Sequence, residues 1–284
     1  MMTTELGKIA RLEHVNLAIP DQQVATQFYV IGLGLTRDPA MTVGLTNMWI
    51  NIGRSQMHLP SREPIAHQLR GEVTLTLPDI DLVMANLQAI QPTLSGSAFD
   101  FRRDGETVFV TCPWGNRFRL LPPAGDEDSI QLGLTDVRLD VPAGAADGIA
   151  RFYQQIIGTT ATTANLSGKA CAIVPAGPGQ TLTFQETSDP LPAYDGHHIQ
   201  IYIAGFEALR RELEQRNLLS LDEGRYQFRF IDIVDPESGD LLYQIEHEVR
   251  GLDHPMFGRP LYNRNPAQVQ FGYKPGRDMF FGTI

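Results

Sequence analysis

The feature that most constrains this chain is a strand, turn and helix unit that recurs along it. In the first copy, polar or small residues alternate with apolar ones from Leu12 to Pro20, which is typical of a half-buried strand. Pro20 and Asp21 then end the strand and open a helix, which Gly32 ends. Such a unit cannot bury its apolar face alone, so its repetition indicates several units that pack on one another.

The unit returns three more times, with strand patterns that begin at Glu72, Asp136 and His198. Helical patterns follow, at 82–90 in the second copy and 206–218 in the fourth. Two short runs of β-forming residues come after each helix, so each copy is predicted to be a βαβββ module with its helix on one face of a small mixed sheet. The other face of each sheet needs a partner, and two facing sheets form a cup. The predicted later strands are 48–51, 56–59, 107–110, 117–120, 170–174, 181–184, 228–234 and 241–249.

Two irregular stretches predict boundaries, one at 122–129 between the halves of the chain and one at 189–196 between the third and fourth modules. We therefore expect two domains, each built from two consecutive modules. The expected ranges are 9–123 for the first domain, from modules 9–65 and 70–123, and 130–250 for the second, from modules 130–188 and 195–250, followed by an irregular extension over 251–284.

The C-terminal extension is rich in turn-forming residues but also contains aromatic ones. An aromatic content of this kind is unusual for a disordered tail. We expect the extension to wrap over a domain or a neighbouring subunit, which is compatible with a homodimer. The aromatic residues concerned are Phe271, Tyr273, Phe280 and Phe281.

Composition and charge exclude several classes of function. With 284 residues, 42% of them apolar, the chain is long enough for two globular domains. The net charge of −10 argues against a nucleic-acid or anionic-membrane surface, because both attract basic patches. No apolar run approaches the roughly 20 residues that span a bilayer, and the opening residues do not resemble a signal peptide, so we expect a cytoplasmic protein. Cys112 and Cys171 are too few for a disulfide framework or a thiolate metal cluster.

Short motifs carry a further signal about the fold. They are His14-Val15 in the opening strand, Phe28-Tyr29 in the first helix, Gly32-Leu33-Gly34-Leu35 after it, Cys112-Pro113-Trp114-Gly115-Asn116-Arg117-Phe118, and Asp235-Pro236 before Gly239. With these motifs, residues 9–250 resemble the vicinal oxygen chelate superfamily, which includes glyoxalase I, bleomycin- and fosfomycin-resistance proteins and extradiol ring-cleaving dioxygenases. The resemblance implies an α+β fold of four βαβββ modules paired into two cup-shaped domains. Four modules in one chain are most similar to the two-domain extradiol dioxygenases.

Pleat parity predicts which side chains face the cups, because neighbouring residues of a strand point to opposite faces. In the first domain it directs His14, His58, Glu72 and Arg119 into one cup. The resemblance implies that these are metal-ligand positions, on the first and last strands of paired modules. Among them, His14, His58 and Glu72 are suitable donors for a divalent Fe, Mn or Zn ion, and an incomplete ligand set leaves room for substrate oxygens.

Arg119 departs from this pattern, because a guanidinium stays protonated and offers only hydrogen-bond donors. Two alternatives follow. Either three residues hold the metal while Glu72 and Arg119 carry the catalytic roles, with Arg119 binding an anionic group of the substrate, or Arg119 pairs with Glu72 and no metal is bound. A lone histidine on a strand is more often a packing or surface residue than a ligand, so the metal hypothesis depends on three suitable residues sharing one cup.

The second cup has a less regular set of candidates. The resemblance implies ligand positions at Asp136, Thr183 and His198, and at Tyr243 or Glu246 in the last strand, depending on its register. Asp136, His198 and Glu246 could form a second metal site with one imidazole and two carboxylates. Asp136 stands where the extradiol dioxygenases carry a histidine, which counts against ring cleavage at this site.

Two classes of function remain open. One is a metal-dependent enzyme of the glyoxalase or dioxygenase type, whose ion binds oxygens of a small substrate and acts as a Lewis acid while a nearby carboxylate serves as base. The other is a metal-free protein that binds or sequesters a small molecule, as bleomycin-resistance proteins do. Three polar groups in one cavity favour the enzyme, and metal content discriminates between the two.

Overall fold

The structure is a computed structural model that describes residues 8–41, 46–125 and 129–264. Within these ranges the chain forms four βαβββ modules, which confirms the predicted α+β fold. The four aromatic residues of the C-terminal extension and the acidic residues of the linker at 126–128 lie outside the described ranges. No helix in the described part of the chain is long and apolar enough to cross a membrane.

Each module begins with a strand and a helix and continues with three strands. The first comprises β1 (Ile9–Asn16), α1 (Gln22–Ala25, continued by a π-helical turn over Thr26–Gly32), β2 (Thr36–Arg37), β3 (Asn47–Ile52) and β4 (Ser55–Pro60). The second comprises β5 (Gly71–Thr76), α2 (Ile80–Ile90), β6 (Asp100–Asp104), β7 (Thr107–Thr111) and β8 (Arg117–Leu121). The third comprises β9 (Gly133–Pro142), α3 (Ala146–Phe152, continued by a π-helical turn over Tyr153–Ile157), β10 (Thr162–Leu166), β11 (Lys169–Gly177) and β12 (Gln180–Thr187). The fourth comprises β13 (His198–Ile203), α4 (Phe206–Gln215), β14 (Leu219–Asp222), β15 (Gln227–Val234) and β16 (Leu241–Gly251).

Acidic capping residues fix where the first two helices begin. The Asp21 carboxylate accepts a hydrogen bond from the backbone N–H of Gln23, and the Asp79 carboxylate accepts one from Leu82. Such caps satisfy N–H groups that have no partner within the helix. The helix predicted to run from Asp21 to Gly32 is present, although its second half widens into a π-helical turn.

The strands form two eight-stranded mixed sheets. One has the order β14-β15-β16-β13-β1-β4-β3-β2, and the other has the order β10-β11-β12-β9-β5-β8-β7-β6. Each sheet therefore contains two modules, the first with the fourth and the second with the third. The paired, cup-shaped fold is confirmed, and the two consecutive modules of each predicted domain lie in different sheets.

Contacts divide the chain into two compact units. The N-terminal unit comprises His14–Thr135 together with the described residues from 260 onward. The C-terminal unit comprises Asp136–Arg259 together with residues 8–13. Each unit contains two consecutive modules and has its own core.

In the N-terminal unit, the π-helical end of α1 packs against α2 and β8. The ring centroid of Phe28 lies 5.7 Å from that of Phe118 and 4.8 Å from that of Tyr29. Gly32 allows the two helices to meet, because a Cβ at this position would lie 2.5 Å from Cδ1 of Ile90. The core thus joins the helix-side faces of both modules, and the opposite strand faces point away from it.

The C-terminal unit repeats this arrangement with a polar pair in its core. The ring centroid of Phe152 lies 5.9 Å from that of Phe230, and Tyr153 lies 5.4 Å from Phe184. Nδ1 of His247 donates a hydrogen bond to a backbone carbonyl of β16, so the proton of the neutral ring is on Nδ1. Nε2 of His247 therefore accepts a hydrogen bond from the Tyr153 hydroxyl at 2.5 Å. Burial lowers the pKa of His247 to about 3, so this imidazole is neutral.

Candidate metal centre

His14 and His58 lie side by side on neighbouring strands of the N-terminal unit. The strands β1 and β4 are parallel, and their register places His14 opposite Gln56 and Asn16 opposite His58. Residues two apart share a face, so both histidines lie on the face opposite the buried Val15. Their rings meet edge to face with centroids 5.7 Å apart. This pair shares a face as pleat parity predicts.

An indole and two amides orient these rings. Trp49 stacks on His58 with centroids 3.8 Å apart and ring planes 9° apart, and it meets His14 edge-on at 5.0 Å. The Nδ1 of His58 lies 2.6 Å from Nδ2 of Asn16, and its Nε2 lies 3.2 Å from Oδ1 of Asn47. Since the Asn16 amide nitrogen can only donate, Nδ1 accepts and Nε2 carries the proton that Asn47 accepts. The lone pair of His58 is therefore on Nδ1.

Charged residues orient a third imidazole in the C-terminal unit. His198 on β13 has its Nδ1 3.3 Å from Oε1 of Glu246 and its Nε2 3.5 Å from Oε2 of Glu248, both on β16. Arg229 on β15 donates to these two carboxylates at 2.6 and 2.7 Å. Arg250 lies 2.6 Å from the other oxygen of Glu248. Charge-assisted bonds of this length hold both carboxylates beside the ring.

Each unit therefore presents its own imidazole donors. In the N-terminal unit His14 is buried and His58 is half-buried, and in the C-terminal unit His198 is buried, so their ring nitrogens are largely shielded from water. Imidazole nitrogens bind Zn at about 2.0–2.1 Å and also suit other divalent transition metals.

Glu72 and Arg119 lie on strands other than those of the histidine pair. They are on β5 and β8, in the sheet that does not contain β1 and β4. The metal role of Glu72 and the catalytic roles of Glu72 and Arg119 stay predictions. Pleat parity is the same in every module, so it does not tell which module would supply a third ligand.

The second predicted site is only partly assembled. Glu246 lies opposite His198 in the strand register, so it takes the position that the sequence left open between Glu246 and Tyr243. Asp136 lies on β9 in the other sheet, where its Oδ1 accepts hydrogen bonds from two threonine hydroxyls of β12 at 2.6 and 2.8 Å. The structure therefore brings His198 and Glu246 together without Asp136.

Two residues that shape the centre escaped the sequence analysis. Trp49 lies directly opposite His58 on the antiparallel strand β3, and Arg229 lies directly opposite Glu248 on β15. Both strands were predicted, but the cross-strand register depends on turn lengths that the sequence pattern did not fix. With that register in hand, both residues would have been found as cross-strand neighbours of the site.

The chain has structural neighbours but no match at the level of sequence families. No protein-family model matches it, and no curated protein matches its sequence. A Bacillus subtilis subsp. subtilis strain 168 protein, provisionally described as a dioxygenase, is 14% identical over 89% of this chain and 88% of its own, with a TM-score of 0.60. Glyoxalase I from Zea mays is 14% identical over 85% of this chain and 92% of its own, with a TM-score of 0.56. These likenesses and the paired modules give the chain the fold of the vicinal oxygen chelate superfamily.

Proposed function

We propose that this protein is a metal-dependent enzyme of the glyoxalase or dioxygenase type that acts on a small oxygen-bearing substrate. The observation that carries the proposal is that each unit presents a pair of possible ligands on neighbouring strands. His14 and His58 have ring centroids 5.7 Å apart in the N-terminal unit, and His198 has its Nδ1 3.3 Å from Oε1 of Glu246 in the C-terminal unit. Imidazole is the side chain that most often binds metal ions, and a carboxylate is a common companion ligand.

The donor set fits a divalent transition metal. Imidazole suits Zn and Fe, whereas Mn and the hard ions Mg and Ca prefer oxygen ligands. We therefore place Zn or Fe before Mn. A donor pair of this kind leaves coordination positions open, and an ion bound there would supply Lewis-acid polarisation of substrate oxygens.

In each unit, neighbouring residues orient the histidines for such an ion. Asn47 accepts the Nε2 proton of His58, which leaves the Nδ1 lone pair for ligation once its amide partner moves aside. In the C-terminal unit, Glu246 and Glu248 hold the ring of His198. The Glu246 side chain is 21% exposed against 4% for Glu248, so Glu246 is the carboxylate we propose to exchange a proton with the substrate.

The structural neighbours support this type of chemistry without naming a substrate. One of them is a glyoxalase I and the other is provisionally described as a dioxygenase. A small molecule is the expected ligand. The homodimer and the cytoplasmic location stay predictions from the sequence.

Metal analysis of protein purified without added metal tests the proposal. We expect bound Zn or Fe, with the metal content lowered in His14→Ala and in His198→Ala, because each variant removes a ligand of one donor pair. His254→Ala is the matched control, since His254 belongs to neither pair and should leave the metal in place. A metal-free sample, or an unchanged metal content in both ligand variants, would contradict the proposal. A metal-free sample that still binds a small molecule would support the sequestering protein.

A further inference from the structure

A glutamine beside His198 has a buried amide with both ends available for bonding. Gln200 follows His198 by two residues on β13, so both side chains lie on the same face of the strand. The residue is completely buried. Within the described ranges of the chain, neither Nε2 nor Oε1 of Gln200 has a hydrogen-bond partner. Buried amides are almost always bonded, because an unsatisfied one is strongly unfavourable, so this amide needs a specific explanation.

The charged residue opposite Gln200 on β16 does not provide that explanation. Gln200 lies opposite Glu248 in the parallel register of β13 and β16. The two oxygens of Glu248 are held by arginines, at 2.7 Å from Arg229 and 2.6 Å from Arg250. The carboxylate is therefore fixed without help from the glutamine.

The equivalent residue of the N-terminal unit behaves differently. Asn16 follows His14 by two residues on β1, and its amide is bonded to the ring of His58. Gln200 occupies the same place relative to His198. The donor on the last strand is here Glu248, and Arg229 and Arg250 bind it in place of an amide. The longer side chain thus keeps a donor and an acceptor on the face that carries the metal-binding histidine.

We infer that Gln200 is a specificity residue that hydrogen-bonds a metal-chelating substrate. This inference rests on the proposed function, because the substrate is placed by the ion that His198 helps to hold. The matching substrate class is a small molecule with two vicinal oxygens for the metal and, next to them, an N–H or O–H group that donates to Oε1 of Gln200. A site built around such a bond discriminates against analogues that lack the donor.

Two hydroxamates test the inference on the full-length, metal-loaded protein. Acetohydroxamic acid chelates through two vicinal oxygens and keeps a free N–H, whereas N-methylacetohydroxamic acid chelates in the same way without the N–H. We expect the native protein to bind the first about tenfold more tightly, which is the effect of one buried hydrogen bond. Gln200→Met, which keeps the shape and removes the amide, should bind both probes equally, with unchanged affinity for the N-methyl compound. Calorimetric titration measures all four affinities.

Two further measurements separate this inference from the proposed function. Metal content should be the same in Gln200→Met and in the native protein, and if neither holds metal the proposed function fails and this inference fails with it. Without metal or probe, Gln200→Met should melt at the same or a higher temperature, because the variant no longer buries an unpaired amide. If it melts lower, or if it keeps the tenfold preference while holding metal normally, Gln200 is structural and only this inference is overturned.

Discussion

The first and fourth modules position their donors in the same way but surround them differently. In the N-terminal unit, β1 and β4 present His14 and His58 among an indole and two amides. In the C-terminal unit, β13 and β16 present His198 and Glu248, with arginines bonded to the carboxylate. In both modules, the donor on the last strand lies opposite the residue that follows the histidine of the first strand by two positions. His58 thus lies opposite Asn16, and Glu248 lies opposite Gln200. One backbone arrangement therefore positions donors with either neutral or charged neighbours.

The helix sides of the same strand pairs differ as well. Tyr29 and Tyr153 both follow a phenylalanine in the helix of their module, and both are completely buried. The Tyr153 hydroxyl bonds to His247, whereas the N-terminal unit has Met57 at the equivalent place in the register. The C-terminal unit thus buries a titratable group at a position where the N-terminal unit has a thioether.

Of the changes considered, removal of Arg229 should have the largest effect, a loss of stability in the C-terminal unit. Arg229→Met leaves Glu246 and the almost completely buried Glu248 with less compensation, so we expect a loss of about 3 kcal/mol in the free energy of unfolding. Urea denaturation measures it. Arg210→Met is the control, because the ion pairs of Arg210 are more exposed and should contribute little to stability. Equal losses in the two variants would mean that the buried cluster does not stabilise the unit.

Low pH should lower the stability of the C-terminal unit through protonation of His247, and the N-terminal unit has no such group at the equivalent position. The pKa of His247 is about 3 in the folded protein against 6.5 for an ordinary histidine, so the unfolded chain binds a proton that the folded chain does not. Stability is then fully present above pH 6.5 and falls as the pH drops towards 3, by about 2 kcal/mol at pH 5.

The variant His247→Met copies the N-terminal unit and tests this acid effect. At pH 7 it should be less stable than the native protein by about 1 kcal/mol, because the buried Tyr153 hydroxyl loses its acceptor. At pH 5 the difference should vanish or reverse, since the variant has no imidazole to protonate at this position. Unfolding free energies at both pH values give the comparison, and a difference that is independent of pH would show that His247 is not the acid-sensitive group.

The amides around His58 should have opposite effects on metal affinity. Asn47→Ala removes the acceptor for the Nε2 proton, and loss of such an outer partner should weaken binding about tenfold. Asn16→Ala removes the group that competes for the Nδ1 lone pair, so binding should be unchanged or tighter. Competition with a chelator measures both affinities. The reverse order would mean that Nε2 of His58 is the ligand atom.

Stacking on His58 should have the smallest effect. Trp49→Phe keeps an aromatic ring but reduces the contact that fixes the imidazole plane, and we expect metal affinity to fall about threefold. The chain has two tryptophans, so Trp114→Phe is a matched control that should leave affinity unchanged. If both variants bind metal equally well, stacking on Trp49 does not orient the His58 ring.

Strands with a buried face could be predicted from sequence, and short edge strands could not. Alternation found the central strands, such as β1 and β13, because one of their faces carries an apolar series. The strand after each helix was missed in all four modules. These strands are β2, β6, β10 and β14, which lie at the ends of the two sheets and are largely exposed. An edge strand buries little apolar surface, so its sequence has little periodicity to detect.

The candidate centre could be predicted only in part. Parity placed His14 and His58 on one face and His198 with Glu246 on another, and the register agrees with both pairs. It also directed Glu72 to the first pair, and this part stays a prediction, with Glu72 on β5 in the other sheet. The orienting residues Trp49 and Arg229 depend on cross-strand register and were not visible in the linear pattern.

By itself the sequence determined the module, its fourfold repetition and the face on which each donor lies, because the pleat makes these local properties of a strand. The order of the modules in the sheets was decided only in the tertiary structure. Every first strand offers the same backbone groups at its edge, so local pairing energies do not distinguish the partners. The first module shares a sheet with the fourth, and the second with the third. This order depends on contacts between residues that are far apart in the chain, and the alternation within a single strand does not contain them.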